Sequence, residues 1–315
     1  MPFPSCLLVA LCLLLCQACS HLGQRADNAH VPVTAHEFHF GDGGKALYFV
    51  LDKRPAQGRH PAAPSYPMTY LFAIPGSDCL SMHDMLPGYF DGFGGTAGGT
   101  RLFILHKRFV TAHASMDCGP AFMRADHPAR WLADQGEFIR SELSAARANG
   151  QTPRRVVIVG ISEGAEIAPI LARRIPGITH VALFANGGMD PFDAYRLQMQ
   201  KHGFHHALED IARRCNGAPG DTEAAGRSCR YWRELQGIRH TDNLLALDIP
   251  IFIAMGEADV MVPIESAWFI RDRFAAHGKT SLRLLTLPDT GHDFGRAGRS
   301  VLPQVWRTLE GWLQE

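Results

Sequence analysis

Val156-Val157-Ile158-Val159-Gly160-Ile161-Ser162-Glu163-Gly164 is the stretch on which the fold turns. Four apolar residues follow one another with no polar alternate, the pattern of a strand covered on both faces in a parallel sheet. They run straight into Gly-x-Ser-x-Gly. Where a strand bends sharply into a helix, neighbouring backbone comes too close to tolerate side chains beside the central residue, and Gly160 and Gly164 meet that need. The following helix is expected to aim its N-terminal amides at Ser162, where they favour negative charge. The pentad alone arises by chance on the order of 0.1 times in a glycine-rich chain of this size, so the strand before it carries the weight. Pro169 falls within the expected helix, removes one donor and predicts a kink there.

Outward from this stretch, short unbroken apolar runs alternate with helical periodicity. The runs are Tyr70–Ile74, Leu102–Leu105, Val156–Val159, Val181–Ala185, Ile251–Met255 and Leu282–Leu287. Each has the length of a strand buried on both faces. Trp131, Phe138, Ile139 and Leu143 share a helical face before the Asn149-Gly150 stop; Ile264, Ala267, Trp268 and Phe274 do so before Gly278; and Val305, Leu309, Trp312 and Leu313 repeat the spacing near the C-terminus. Thr34–Phe40 and Ala46–Leu51 flank Gly41-Asp42-Gly43-Gly44 and read as a hairpin, with Lys53–Pro67 a Pro/Ala-rich connection. The fold class expected is α/β, a mostly parallel sheet flanked by helices. The long segment between Ala185 and Ile251 exceeds any ordinary connection. It predicts a helical cap inserted at about 187–248 over the C-terminal edge of the sheet, with Phe192–Arg214 helical.

On the elbow around Ser162 the chain resembles the α/β-hydrolase family, in which nucleophile, acid and histidine follow in that order. Residues 66–315 carry the resemblance. Ile251–Met255 leads into Gly256-Glu257-Ala258-Asp259-Val260-Met261-Val262-Pro263, similar to the family's acid loop, and Leu282–Leu287 leads into Pro288-Asp289-Thr290-Gly291-His292-Asp293-Phe294, similar to its histidine loop. The resemblance implies Ser162 as nucleophile, Asp259 as acid and His292 as base, with Asp190, which also follows a strand, as the rival acid. A serine hydroxyl is a poor nucleophile until a base takes its proton, and an imidazole with a pKa near ~6.5 can take it and return it to the leaving group. The acid fixes the tautomer of that imidazole. The oxyanion donors implied are the amide of Glu163 and one from Pro75-Gly76-Ser77-Asp78, assigned to Ser77 with Asp78 as its neighbour.

Thirty-one Lys and Arg balance thirty-one Asp and Glu, which disfavours a nucleic-acid or polybasic membrane role, and 46% hydrophobic residues supply a full-sized core. Cys6, Cys12, Cys16 and Cys19 crowd the start of the chain, whereas Cys79, Cys118, Cys215 and Cys229 are spread through its body. The apolar run Cys6–Cys16 is shorter than the ~20 residues that span a bilayer but suits a secretory leader. Residues 1–18 are read as a signal peptide and 19–33 as a tether, followed by the domain at 34–315. Cys16-Gln17-Ala18-Cys19 resembles a bacterial lipoprotein signal, which implies a lipid on Cys19; the alternative is an ordinary cleaved signal. Export to the periplasm, free or membrane-anchored, makes disulfides available. Of three pairings of the body cysteines, Cys215–Cys229 with Cys79–Cys118 is the one expected, against four buried thiols.

The expectation that follows is an exported serine hydrolase acting on a small-molecule carboxylic ester through an acyl-enzyme on Ser162, with no cofactor and no metal. It meets a membrane only through the lipid anchor, and its oligomeric state is open. Serine peptidase, thioesterase and acyltransferase share the first half-reaction; a non-catalytic exported binding lipoprotein is the rival of another class. Gly92-Phe93-Gly94-Gly95-Thr96-Ala97 matches a relaxed dinucleotide fingerprint without the βαβ unit that would support it, and reads as a flexible loop bordering the pocket. His36-Glu37-Phe38-His39 lacks helical zinc spacing. His205 and His206 read as solvated cap residues, while Tyr231 and Trp232 either line the pocket or bury against the main domain.

Overall fold

The computed structural model describes residues 33–54, 68–96, 98–112 and 118–315. The expected leader, Cys19 as the expected lipidation site, most of the expected tether and most of the Pro/Ala-rich connection lie outside them. Strands β1 (Ala35–His39), β2 (Lys45–Lys53), β3 (Thr69–Ile74), β4 (Thr100–Leu105), β5 (Arg155–Ile161), β6 (His180–Phe184), β9 (Ile251–Gly256) and β10 (Leu282–Leu287) form one sheet in the order β1-β2-β4-β3-β5-β6-β9-β10. The hairpin β1–β2 joins antiparallel to β4, and the strands from β4 to β10 run parallel.

Period-two alternation explains the apolar runs. The short α1 (Pro120–Ala125) precedes α2 (Pro128–Ala148); Val156 and Ile158 of β5 enter the core beneath α2 and α3 (Ala168–Arg174), while Val157 and Val159 enter a second core built around Trp306 of α9 (Leu302–Trp312). Trp306 is fully buried against Phe90, Phe93 and Phe184, and its indole N–H donates to the Tyr89 carbonyl at 2.8 Å. β10 departs from the expectation of burial on both faces. It is an edge strand of the sheet, and Leu282, Leu284 and Leu285 are only half-buried. Trp268 departs too: the face of α8 (Glu265–Ala276) that packs on the sheet carries Ala267, Ile270 and Phe274, leaving Trp268 41% exposed.

Between β6 and β9 stand α4 (Pro191–Lys201), α5 (Ala207–Cys215), a ribbon of β7 (Glu223–Ala224) and β8 (Arg227–Ser228), α6 (Cys229–Gln236) and α7 (His240–Leu245). The single helical stretch expected over Phe192–Arg214 is two helices, because Gly203 turns the chain with φ +82° in the left-handed region. Cys215 and Cys229 are bonded, as are Cys79 and Cys118. The loop through Gly92–Thr96 lies at the opposite end of the sheet from Ser162. Thr96 bonds Thr69 and Thr100, the first residues of β3 and β4, and Gly95 sits so near the Lys53 carbonyl that a Cβ would stand 2.7 Å from it. It therefore does not border the pocket.

Candidate active site

Parallel register brings the ends of β3, β5, β6, β9 and β10 to one edge: Ile74 pairs with Gly160, Ile161 with Phe184, and Gly256 with Leu287. The loops carrying Ser77, Ser162, Asp259 and His292 all leave from that edge, where open parallel sheets place their sites. Ser162 takes φ +53°, the strained left-handed turn of a strand-to-helix elbow. The turn is possible because its flanks lack side chains. A Cβ on Gly160 would lie 2.4 Å from Ala165 Cα, and one on Gly164 would lie 2.3 Å from the Ile74 carbonyl oxygen.

The helix after Ser162 differs from the expectation. Ser162–Glu166 is a 3-10 turn, and the α-helix starts at Ala168, so Pro169 occupies its first turn, where a missing N–H costs nothing. No kink results.

Ser162 Oγ lies 2.9 Å from His292 Nε2, and His292 Nδ1 lies 2.7 Å from Asp259 Oδ2. The Asp259 side chain is 0% exposed, and its second oxygen accepts from the Met261 and Val262 amides at 2.7 and 2.9 Å. The acid and histidine loops are in backbone contact. Ala258 N–H donates to the Thr290 carbonyl at 3.0 Å, and Gly256 leaves no room for a Cβ beside that same oxygen. Asp190 is engaged elsewhere, accepting from the Thr241 amide at 2.9 Å and facing Arg239 at 3.5 Å. Gly76 packs against the elbow, where a Cβ would sit 3.2 Å from Ser162 Cβ, so the loop bearing Ser77 borders Ser162. Asp78 follows with φ +70°.

A charged cluster around Glu163 escaped the sequence reading. Lys107 Nζ lies 2.7 Å from Glu163 and 2.8 Å from Asp126, Tyr231 donates its hydroxyl to Glu163 at 2.6 Å, and Arg227 pairs with Asp126 and, at 3.2 Å, with Asp78. Burial pushes the Glu163 carboxyl up, but Lys107 and Arg227, with hydrogen bonds from Lys107 and Tyr231, outweigh it and hold it below the usual carboxylate range. The members come from five separate segments, so no local spacing signals them. Tyr231 thus seats the cap on the main domain, and His205 and His206 are exposed.

A second cluster lies behind the elbow. Asn186 Nδ2 donates to Glu166 at 2.7 Å and reaches the Ser162 carbonyl at 3.4 Å. Burial raises Glu166 to about 8 and lowers His240 to about 3. Their 3.8 Å approach is therefore a contact between neutral groups near neutral pH, not an ion pair. Among the described residues, no group of three or more His, Cys, Asp or Glu is placed to hold a metal ion.

The family model for the BAAT / acyl-CoA thioester hydrolase C-terminal region matches residues 147–295, which run from the end of α2 past His292. No curated protein matches in sequence. Among solved structures, Est1E from Butyrivibrio proteoclasticus superposes with a TM-score of 0.55 at 12% identity, covering 90% of this chain and 98% of that one. An esterase from Pyrococcus furiosus gives 0.53 at 13% identity over 92% and 96% of the two chains. The acylaminoacyl peptidase of Pyrococcus horikoshii gives 0.56 at 12% identity over 91% of this chain, which spans only 42% of that peptidase. The chain has the α/β-hydrolase fold.

Proposed function

We propose that this chain is an exported serine hydrolase that cleaves a small-molecule carboxylic ester through an acyl-enzyme on Ser162. The observation that carries this reading is His292, whose two ring nitrogens meet Ser162 Oγ at 2.9 Å and Asp259 at 2.7 Å. Asp259 accepts from Nδ1–H and leaves Nε2 as the acceptor facing the hydroxyl. Ser162 Oγ attacks the acyl carbon while its proton passes to Nε2. The oxyanion gathers the amides of Glu163 and Ser77. As the tetrahedral species collapses, the imidazolium returns its proton to the departing alkoxide, and an alcohol leaves. Water then repeats the sequence on the acyl-enzyme, releasing the acid and restoring Ser162.

Likeness to Est1E and the Pyrococcus furiosus esterase supports an ester substrate. A thioester is the second reading, favoured by the match to the acyl-CoA thioester hydrolase family model over the segment that contains all three residues. Export is supported by the two disulfides, since such bonds persist in oxidising compartments. A lipid on Cys19 is checked by mass spectrometry of the mature N-terminus.

A fluorophosphonate probe is expected to label the wild type and to fail on Ser162→Ala; an unlabelled wild type would favour a binding protein. Rates on p-nitrophenyl esters of graded chain length, acyl-CoA thioesters and aminoacyl nitroanilides then rank the three leaving groups.

A further inference from the structure

We propose that Arg227 is a positioning residue: reaching down from the cap ribbon, it holds Asp78 and thereby fixes the Pro75–Asp78 loop against Ser162, making cap and oxyanion loop one mechanical unit. The inference rests on the serine-hydrolase reading. Its geometry is specific. Arg227 Nη1 pairs with Asp126, Nη2 lies 3.2 Å from Asp78 Oδ1 and 3.8 Å from Glu163 Oε1, and the guanidinium stands 5.0 Å from the centre of the Tyr231 ring. One planar fork therefore addresses carboxylates on the oxyanion loop, the nucleophile turn and the segment before α2, a task the single ammonium of lysine cannot perform.

The link is braced from both sides. Asp78 is followed by Cys79, bonded to Cys118, and Arg227 stands two residues before Cys229, bonded to Cys215. The loop it holds is unusual, with Asp78 at φ +70° and Gly76 in contact range of Ser162, so the direction of the intervening amides depends on what restrains Asp78. Buried ion pairs contribute little net stability against apolar substitutes, and their best-attested use is to select one arrangement. Arg227 is 14% exposed and Asp126 1%, whereas Asp78 is 43% exposed, so the Asp78 end can be changed without burying a stray charge.

The test uses Arg227→Lys, Asp78→Asn and the double variant, with p-nitrophenyl acetate as a substrate too small to need the cap. Each single variant is expected to lose about tenfold in kcat with KM within about twofold, a fraction of the loss from deleting an oxyanion donor. Affinity for a boronic acid that mimics the tetrahedral state should fall by the same factor. The double variant should lose no more than either single one, because both break the same link. A kcat for Asp78→Asn within twofold of wild type, or losses that multiply in the double variant, overturns the proposal. Asp78→Asn alone decides the matter if Arg227→Lys does not fold. Amide exchange over residues 76–80 separates this idea from the hydrolase reading. Faster exchange in Asp78→Asn, beside a wild type that no fluorophosphonate labels, keeps the mechanical link and sinks only the chemistry; unchanged exchange sinks the link itself.

Discussion

His292 Nε2 stands 2.9 Å from Ser162 Oγ although 130 residues separate them in the chain. That distance is a hydrogen bond between imidazole and hydroxyl, the contact a proton transfer between them requires. If the imidazole takes the proton, His292→Ala and Ser162→Ala should each lower kcat by on the order of 10⁶-fold, and the double variant should be scarcely worse than either. Steady-state rates on a p-nitrophenyl ester check both, and multiplying losses would mean that the two side chains act separately.

Asp259 and Asp190 compete for the role of acid in the sequence, and their bonds divide them. Asp259→Asn is expected to cost about 10³- to 10⁴-fold in kcat by presenting the wrong tautomer. Asp190→Ala should leave kcat near wild type while weakening the tie between α4 and α7 by about 1 kcal/mol, the worth of one hydrogen bond. Rates and urea midpoints measured on both variants would expose a reversed assignment.

Burial raises Glu166 from an ordinary carboxyl value of 4.5 to about 8. The folded state then keeps a proton that the unfolded chain has already released, so this group makes stability fall as pH rises from the unfolded value through the folded one. His240 works on the acid side: its value drops from 6.5 to about 3, and the stability it contributes is lost as pH falls below the upper figure. Between about pH 6.5 and 8 only Glu166 acts, and wild type should lose about 2 kcal/mol that Glu166→Gln does not. Parallel unfolding curves for the two proteins across that window would discount the shift.

The Cys215–Cys229 bond closes a short loop, its ends 14 positions apart in sequence. Replacing both cysteines by serine should cost about 3 kcal/mol in the chain-entropy account, read as a lower urea midpoint. The loss should be absent under reducing conditions, where wild type and variant ought to unfold together; a gap that survives reduction points to packing by the sulfurs instead.

What the sequence discloses follows from how local each signal is. Central strands such as β5 carry an unbroken apolar run, Val156–Val159, because both faces are covered, and the elbow is visible because Gly160 and Gly164 answer to contacts within a few residues or with the adjacent strand. The order Ser162, Asp259, His292 is legible because each residue follows a strand that the pattern reveals. The break between α4 and α5 hides in one glycine of a helical-looking run, and the exposure of Trp268 depends on which face α8 turns to the sheet. The cluster of Lys107, Asp126, Glu163, Arg227 and Tyr231 has no sequence signature at all, since folding alone brings its members together.

Tyr231 and Arg227 lean on Glu163, the residue next to Ser162, and this sets terms for anyone building chimaeras. Transplanting a foreign lid between β6 and β9 would strand Glu163 and Asp126 as partly uncompensated acids beneath it unless the donor segment brought an equivalent hydroxyl and guanidinium. The lid is thus not an interchangeable module, and successful exchanges should be those that carry these two side chains along or neutralise both carboxylates at once.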